Sequence, residues 1–204
     1  MLIQELFEPN PKQVVVIYPG RFQPFHRGHL SVYNHLTSLY ENVFICTSNK
    51  IDKNKSPFSF DEKRKIMENI GIDKTKIIQS RQPYKAHEVL ENYDPNNTIA
   101  IFAISDKDMI DNPRFSFNTT SKGNQSYFQP LPESIDNAKS FNEHGYIITV
   151  PTTEFKVLGQ VVKSASQIRD CYSNSDINTR KLIIKDLYES YDNDIFELMQ
   201  LKFQ

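Results

Sequence analysis

The sequence predicts an α/β fold, a Rossmann-like doubly wound parallel sheet with helices on both faces and a C-terminal helical extension. Three observations predict it. Four short apolar runs, at 14–18 (VVVIY), 43–47 (VFICT), 98–104 (TIAIFAI) and 146–150 (YIITV), are nearly continuous in β-branched or aromatic residues. They lack the alternation of a half-exposed strand, and strands covered on both faces read this way. Amphipathic segments of helical period lie between them, and alternation of strand and helix builds a parallel sheet.

The elements follow in order. After the first strand, Leu30, Tyr33, Leu36, Leu39 and Tyr40 recur at three and four, so 30–40 forms a helix with one buried stripe. Beyond the second strand, 60–70 reads as a helix with Asp61 and Glu62 in its first turn and Gly71 as its stop. A weaker strand is expected at 76–79 and a third helix over 85–93. The carboxyl end, at 178–191 and 194–203, is helical with short Asn and Asp breaks. Residues 111–144 interrupt the rhythm with Asn, Ser, Gln and Pro and isolated aromatics. A stretch of that length without structure is uncommon inside a domain, so it is a lid, a partner-contacting arm or an insertion with minor structure.

Composition narrows the function. The chain has 204 residues, 38% apolar, 24% charged and 12% aromatic, the profile of a folded globular protein of about one domain. Lys plus Arg number 24 against 25 Asp plus Glu, and a net charge of -1 argues against a protein that grips nucleic acid through its phosphates. No run approaches the ~20 apolar residues of a membrane span, and the acidic start MLIQELFEPNPKQ is no secretion signal. Cys46 and Cys171 follow no metal-ligand spacing and read as reduced thiols. The expectation is a soluble, cytoplasmic protein without nucleic-acid or membrane partners.

The chemistry concentrates where the first strand runs into its helix, through YPGRFQPFHRGH (18–29). In an open α/β sheet, ligands bind beyond the carboxyl ends of the strands. Gly20 permits an unusual backbone angle or a close approach by a ligand, Pro24 stiffens the turn, and Gly28 leaves helix-start amides open to an anion. His26 and His29, three apart across the helix start, are expected to face one side and donate ring hydrogen bonds to one phosphate. Arg21 and Arg27 add fixed positive charge. Zinc is the rival reading, but it needs a third ligand, and neither cysteine nor His35, His87 or His144 stands at a telling spacing.

GRFQPFHRGH (20–29) resembles the HxGH signature of the nucleotidyltransferase superfamily, and the GRFQP opening is most similar to archaeal-type nicotinamide-mononucleotide adenylyltransferases. Glycerol-phosphate-type cytidylyltransferases more often open on a GTFD-like string. VKSASQIR (162–169) resembles the family's ISSTxIR element, with Ser164 at its first Ser, Ser166 at its Thr, Arg169 at its Arg, and Ala165 departing at the middle Ser. SPFSFDEKRKIM (56–67) is similar to the NPFT…ER…MI stretch, with Lys63 where the family has Arg and Arg64 beside it. SDKD (105–108) stands where relatives carry a Gly-x-Lys-Asp turn.

The resemblance covers roughly residues 12–110 and 146–172; one nucleotidyltransferase domain over 1–204 is expected, with 111–144 as insertion or lid and 173–204 as C-terminal helices, both outside the resemblance. It implies AMP transfer from ATP to a small phosphorylated acceptor, nicotinamide mononucleotide first, giving NAD and pyrophosphate. His26, His29 and Arg169 would be catalytic. Gly20, Arg21, Phe22, Gln23, Gly28, Asp106, Ser164 and Ser166 would bind nucleotide. Mg²⁺ would arrive with the triphosphate, with no dedicated protein metal site, and a homo-oligomer is expected. The alternatives are CMP transfer, AMP transfer to phosphopantetheine or a flavin nucleotide, and a non-catalytic nucleotide-binding module.

Overall fold

The computed structural model describes residues 12–110, 115, 117–119, 123–151, 153–162 and 164–203. Six strands form one parallel sheet in the order β3-β2-β1-β4-β6-β5, where β1 is Gln13–Pro19, β2 Asn42–Thr47, β3 Ile77–Gln79, β4 Thr98–Ser105, β5 Phe128–Pro130 and β6 Gly145–Val150. The four apolar runs become β1, β2, β4 and β6, and the weaker one becomes β3. Their side chains divide by parity. Val16, Tyr18, Ile45, Ile99 and Ile101 point to one face, Val15, Ile17, Cys46, Phe102 and Ile104 to the other. Two cores follow, one on each side, and this is why neither face could tolerate polar alternation.

Helices cover both faces, unequally. On the first lie α1 (Arg27–Leu39), α2 (Phe60–Asn69), α5 (Ala165–Ser173), α6 (Ile177–Tyr188) and α7 (Asn193–Lys202), through Leu36, Ile66, Tyr172, Leu187 and Met199 among others. On the second lies α3 (His87–Leu90), with Phe115, Phe128 and Phe141 packed beside it. This helix is four residues long where the sequence predicts nine. Ala86 before it sits at φ 46, in left-handed backbone, and Pro95 follows the turn that ends it, so both sides are blocked. Five-residue α4 (Asp106–Ile110) follows β4 directly.

The segment 111–144 is only partly described. Its second half is built into the fold: β5 pairs with β6 as the edge strand, a 3₁₀ turn spans Ile135–Asn137, and Ala138 is buried in the first core. The strand escaped prediction because it is three residues long and ends on Pro130, which only an edge accepts. A hairpin also went unread: β7 (Phe155–Val157) and β8 (Gln160–Val162) pair antiparallel through Leu158 at φ 51 and Gly159 at φ 77. That is the positive-φ pair a two-residue hairpin turn needs, with Leu in a place usually held by Asn or Asp. The Asp186 carboxylate on α6 accepts a hydrogen bond from the Leu158 amide at 2.8 Å and holds the tip.

Candidate active site

The carboxyl ends of β1, β4 and β6 open onto a pocket of about 170 Å³. Tyr18, His26, Gly28, His29, Ser105, Phe155, Ser164 and Ala165 are among its lining residues. Whole-ligand pockets run to roughly 300–1,000 Å³, so this one has room for only part of a nucleotide-sized ligand. A larger cavity of about 800 Å³ lies on the other face of the sheet, lined by Leu90, Tyr93, Phe102 and Phe141 among others; it contains none of the motif residues.

His26 caps α1 and His29 occupies its third position. Their rings stack, 3.8 Å between centroids and 26° between planes. Each Nδ1 accepts a backbone hydrogen bond: His26 Nδ1 from the Gly28 amide at 3.2 Å, His29 Nδ1 from the His26 amide at 3.3 Å. An imidazole that accepts at Nδ1 carries its proton at Nε2 when neutral, so this network assigns both rings as Nε2–H donors. Burial holds both neutral. It pushes His29 down to about 3 and, with His29 and Arg27 close by, pushes His26 well below its ordinary value against an opposing backbone hydrogen bond.

Sequence reasoning gave Gly28 the wrong reason. Its amide is engaged by His26, and a Cβ there would lie 3.1 Å from His26 Cε1 and 3.3 Å from Phe155 Cδ1. The glycine makes room for the ring beside it. Gly20 is similar: it adopts no positive φ, and a Cβ would come within 2.5 Å of Phe22 Cζ. It accommodates the Phe22 ring.

Phe22 and Gln23 turn inward as well. Phe22 is buried, with its ring edge-on to His29 at 5.1 Å and 5.3 Å from Phe25. Gln23 is 4% exposed, and its side-chain amide grips the Phe58 backbone, accepting from the amide and donating to the carbonyl at 2.9 Å each. Both side chains position the turn and do not face the pocket. Gln23→Ala is therefore expected to strand two buried backbone groups and to lower stability by about 2–4 kcal/mol, read as a urea midpoint.

Arg169 comes from the distant α5. Its Nη1 donates to the Gln23 carbonyl at 3.0 Å and its Nη2 to Ser166 Oγ at 3.1 Å. Burial lowers its pKa and neighbouring Arg21 adds to this, against Asp170. Arg21 and Arg169 thus sit together beside the turn, with the Arg21 side chain exposed. Ser164 caps α5, its Oγ accepting from the Gln167 amide at 3.3 Å, and it lines the pocket together with Ala165.

Other predicted residues go elsewhere. Arg27 Nη2 donates to the Lys156 carbonyl at 3.0 Å and its guanidinium lies 5.0 Å from the Phe155 ring centre, so it holds the hairpin. Asp106 opens α4 but does not line the pocket; its neighbour Ser105 does. Arg64 bridges Asp61 and Glu68 at the surface, and Lys63 is buried. Phe155, 4.7 Å from the His26 ring, and Tyr18 are pocket residues that sequence reasoning missed. Tyr18 ends a strand predicted to point at the site, a usable signal; Phe155 gave none.

The histidines also govern acid stability. An unfolded histidine titrates near 6.5. Below that pH the unfolded chain takes up protons that the buried rings refuse, so their stabilisation is full above about 6.5. It then fades as pH falls toward about 3 for His29, by up to ~1.4 kcal/mol per pH unit per ring. The urea midpoint should fall on going from about pH 7 to about pH 4.5, and less so in His29→Gln.

The comparisons with known proteins agree on one family. The cytidylyltransferase-like family model matches residues 17–142, over half of the chain. The nicotinamide-nucleotide adenylyltransferase 1 of Sulfolobus acidocaldarius is 27% identical over 169 residues, 76% of this chain and 88% of that protein. The nicotinamide-nucleotide adenylyltransferase of Sulfurisphaera tokodaii is 35% identical over 68 residues, a match spanning 40% of its length. Among solved structures, a bifunctional NMN adenylyltransferase/ADP ribose pyrophosphatase from Francisella tularensis superposes with a TM-score of 0.52 at 21% identity, covering 93% of this chain and 49% of that one. Such a likeness shows the shared fold. Family match, fold and paired histidines converge, and the chain belongs to the cytidylyltransferase-like family of the nucleotidyltransferase superfamily.

Proposed function

We propose that this chain transfers AMP from ATP to a phosphorylated acceptor, nicotinamide mononucleotide first, releasing pyrophosphate and forming NAD. The observation that carries the reading is the pair of stacked imidazoles whose Nδ1 atoms are both engaged by backbone amides. Two neutral Nε2–H donors then line a pocket of about 170 Å³, into which we place the α-phosphate. The names of the Sulfolobus and Sulfurisphaera relatives support the choice of nucleotide and acceptor.

The acceptor phosphate is already anionic at neutral pH and needs no general base. Its oxygen attacks the α-phosphorus in line as the bond to pyrophosphate breaks, so catalysis rests on positioning and electrostatics. His26 and His29 hold the α-phosphate and stabilise charge as it grows on that phosphorus. Arg169, braced on the Gln23 carbonyl and Ser166, takes the outer phosphates with Ser164 and the start of α5. Arg21 lends a second guanidinium beside it. Magnesium travels with the triphosphate as part of the substrate. Among the described residues no three His, Cys, Asp or Glu side chains gather into a cage, and this ion commonly binds through few protein ligands.

The deciding assay supplies magnesium with ATP or CTP and a panel of phosphorylated acceptors, reading pyrophosphate release. The expected result is NAD from ATP and nicotinamide mononucleotide. Phosphopantetheine belongs in the panel, because the phosphopantetheine adenylyltransferase of Mycoplasma capricolum is 37% identical over 43 residues, 21% of this chain and 31% of that protein. Activity with CTP alone would overturn the nucleotide, and silence across the panel would leave a nucleotide-binding module.

A further inference from the structure

Lys63, on α2, is 1% exposed. Its ammonium lies 2.6 Å from Thr47 Oγ1, 2.6 Å from the Ser48 carbonyl and 3.3 Å from the Arg21 carbonyl. All three acceptors are neutral, and all sit where β1 and β2 end beside the site. Buried charges are normally paired, because an isolated one is costly to desolvate. Among the described residues no carboxylate pairs with this one. The charged groups on the elements around it are turned elsewhere. Glu62 pairs with Lys202 at 2.8 Å, and Arg64 bridges Asp61 and Glu68. Glu88 holds Ser80 and the Arg81 amide at the end of β3, and the Arg21 side chain is exposed.

The count of donors matters. An ammonium has three protons for three acceptors; a neutral amine has two and turns a lone pair toward the third. Deprotonation must therefore either release one oxygen or turn the Thr47 hydroxyl, which itself donates to the Arg21 carbonyl at 3.4 Å, round to the amine lone pair. Either way the Arg21 carbonyl, the longest of the three Lys63 contacts, loses one of its two donors, and the turn that presents the Arg21 guanidinium is held less tightly.

We propose that Lys63 is a buried positioning residue, whose protonated form clamps the ends of β1 and β2 and fixes Arg21 for an anionic substrate. This deepens the adenylyltransferase reading and rests on it. The positive charge, left without a carboxylate, is completed by the incoming polyanion, so substrate binding and Lys63 protonation favour each other. Burial already brings its pKa down to about 8, within reach of that coupling.

The test follows the steady-state rate of wild type, Lys63→Arg and Lys63→Met from neutral pH to about pH 10, alongside NMR of ¹³Cε-labelled lysine in the wild-type protein with and without MgATP. In wild type, kcat/KM for ATP should fall about tenfold per pH unit above pH ~8, mainly through a rising KM. Lys63→Arg should abolish that inflection, and Lys63→Met should be weak at every pH. The Lys63 resonance should titrate near pH 8 in the free protein and at higher pH with MgATP. Coincident profiles for wild type and Lys63→Arg, or a Lys63 titration unmoved by MgATP in a protein that turns over, would overturn the proposal. If MgATP binds but no acceptor reacts, the transfer reading fails, and the NMR shift still decides the role of Lys63.

Discussion

His29→Ala is expected to lower turnover by roughly 100- to 1,000-fold while leaving the KM for ATP within a few-fold. The ring is neutral, carries its proton at Nε2 and lines the pocket beyond β1, so in the proposed reaction it donates where charge develops. A preorganised donor of this kind acts on the transition state more than on the bound ground state. The substitution also removes half of the reciprocal capping pair at the start of α1, for about 1 kcal/mol of stability. His29→Gln separates the two effects, because its side-chain oxygen can still accept from the His26 amide. It should recover much of the stability and little of the turnover. Near-normal turnover in His29→Ala would remove the ring from the mechanism.

Arg169→Ala should lose a comparable factor, about 100-fold or more in kcat/KM, with KM for ATP rising as well as kcat falling. The guanidinium is held by two neutral partners, the Gln23 carbonyl and Ser166 Oγ, with the Asp170 carboxylate and the Arg21 guanidinium acting on it in opposite directions. In the proposed reaction a cation so placed would meet the leaving pyrophosphate in ground and transition states alike. Lys at this position keeps the charge but loses the fork that spans Gln23 and Ser166, so Arg169→Lys should restore only a small part of the rate. Steady-state kinetics with pyrophosphate release as readout checks both variants. A KM effect alone, with kcat unchanged, would confine Arg169 to binding.

How much of this could be read from the chain depends on the range of the interactions. The strands β1, β2, β4 and β6 announce themselves because burial on both faces demands unbroken apolar runs. The convergence of His26 and His29 was equally legible, since a spacing of three across a helix start is local geometry. The inward roles of Gln23 and Lys63 were not. Gln23 meets Phe58 and Lys63 meets Arg21 across 35 and 42 residues, and nothing in the local pattern distinguishes a buried polar side chain from a ligand-facing one. Gly20 and Gly28 misled for a related reason: each clears space for an aromatic ring whose position only the packed turn reveals. The hairpin that brings Phe155 over His26 is too short for periodicity, and its turn is disguised by Leu158.

Long-range ¹H–¹⁵N correlation of the histidine rings, recorded from about pH 5 to about pH 8 with and without MgATP, asks the protein directly about its protons. His26 and His29 should remain neutral with the proton on Nε2 throughout, and both Nε2–H signals should shift when MgATP binds. Rings that protonate near pH 6.5, carry the proton on Nδ1, or ignore the nucleotide would contradict that assignment.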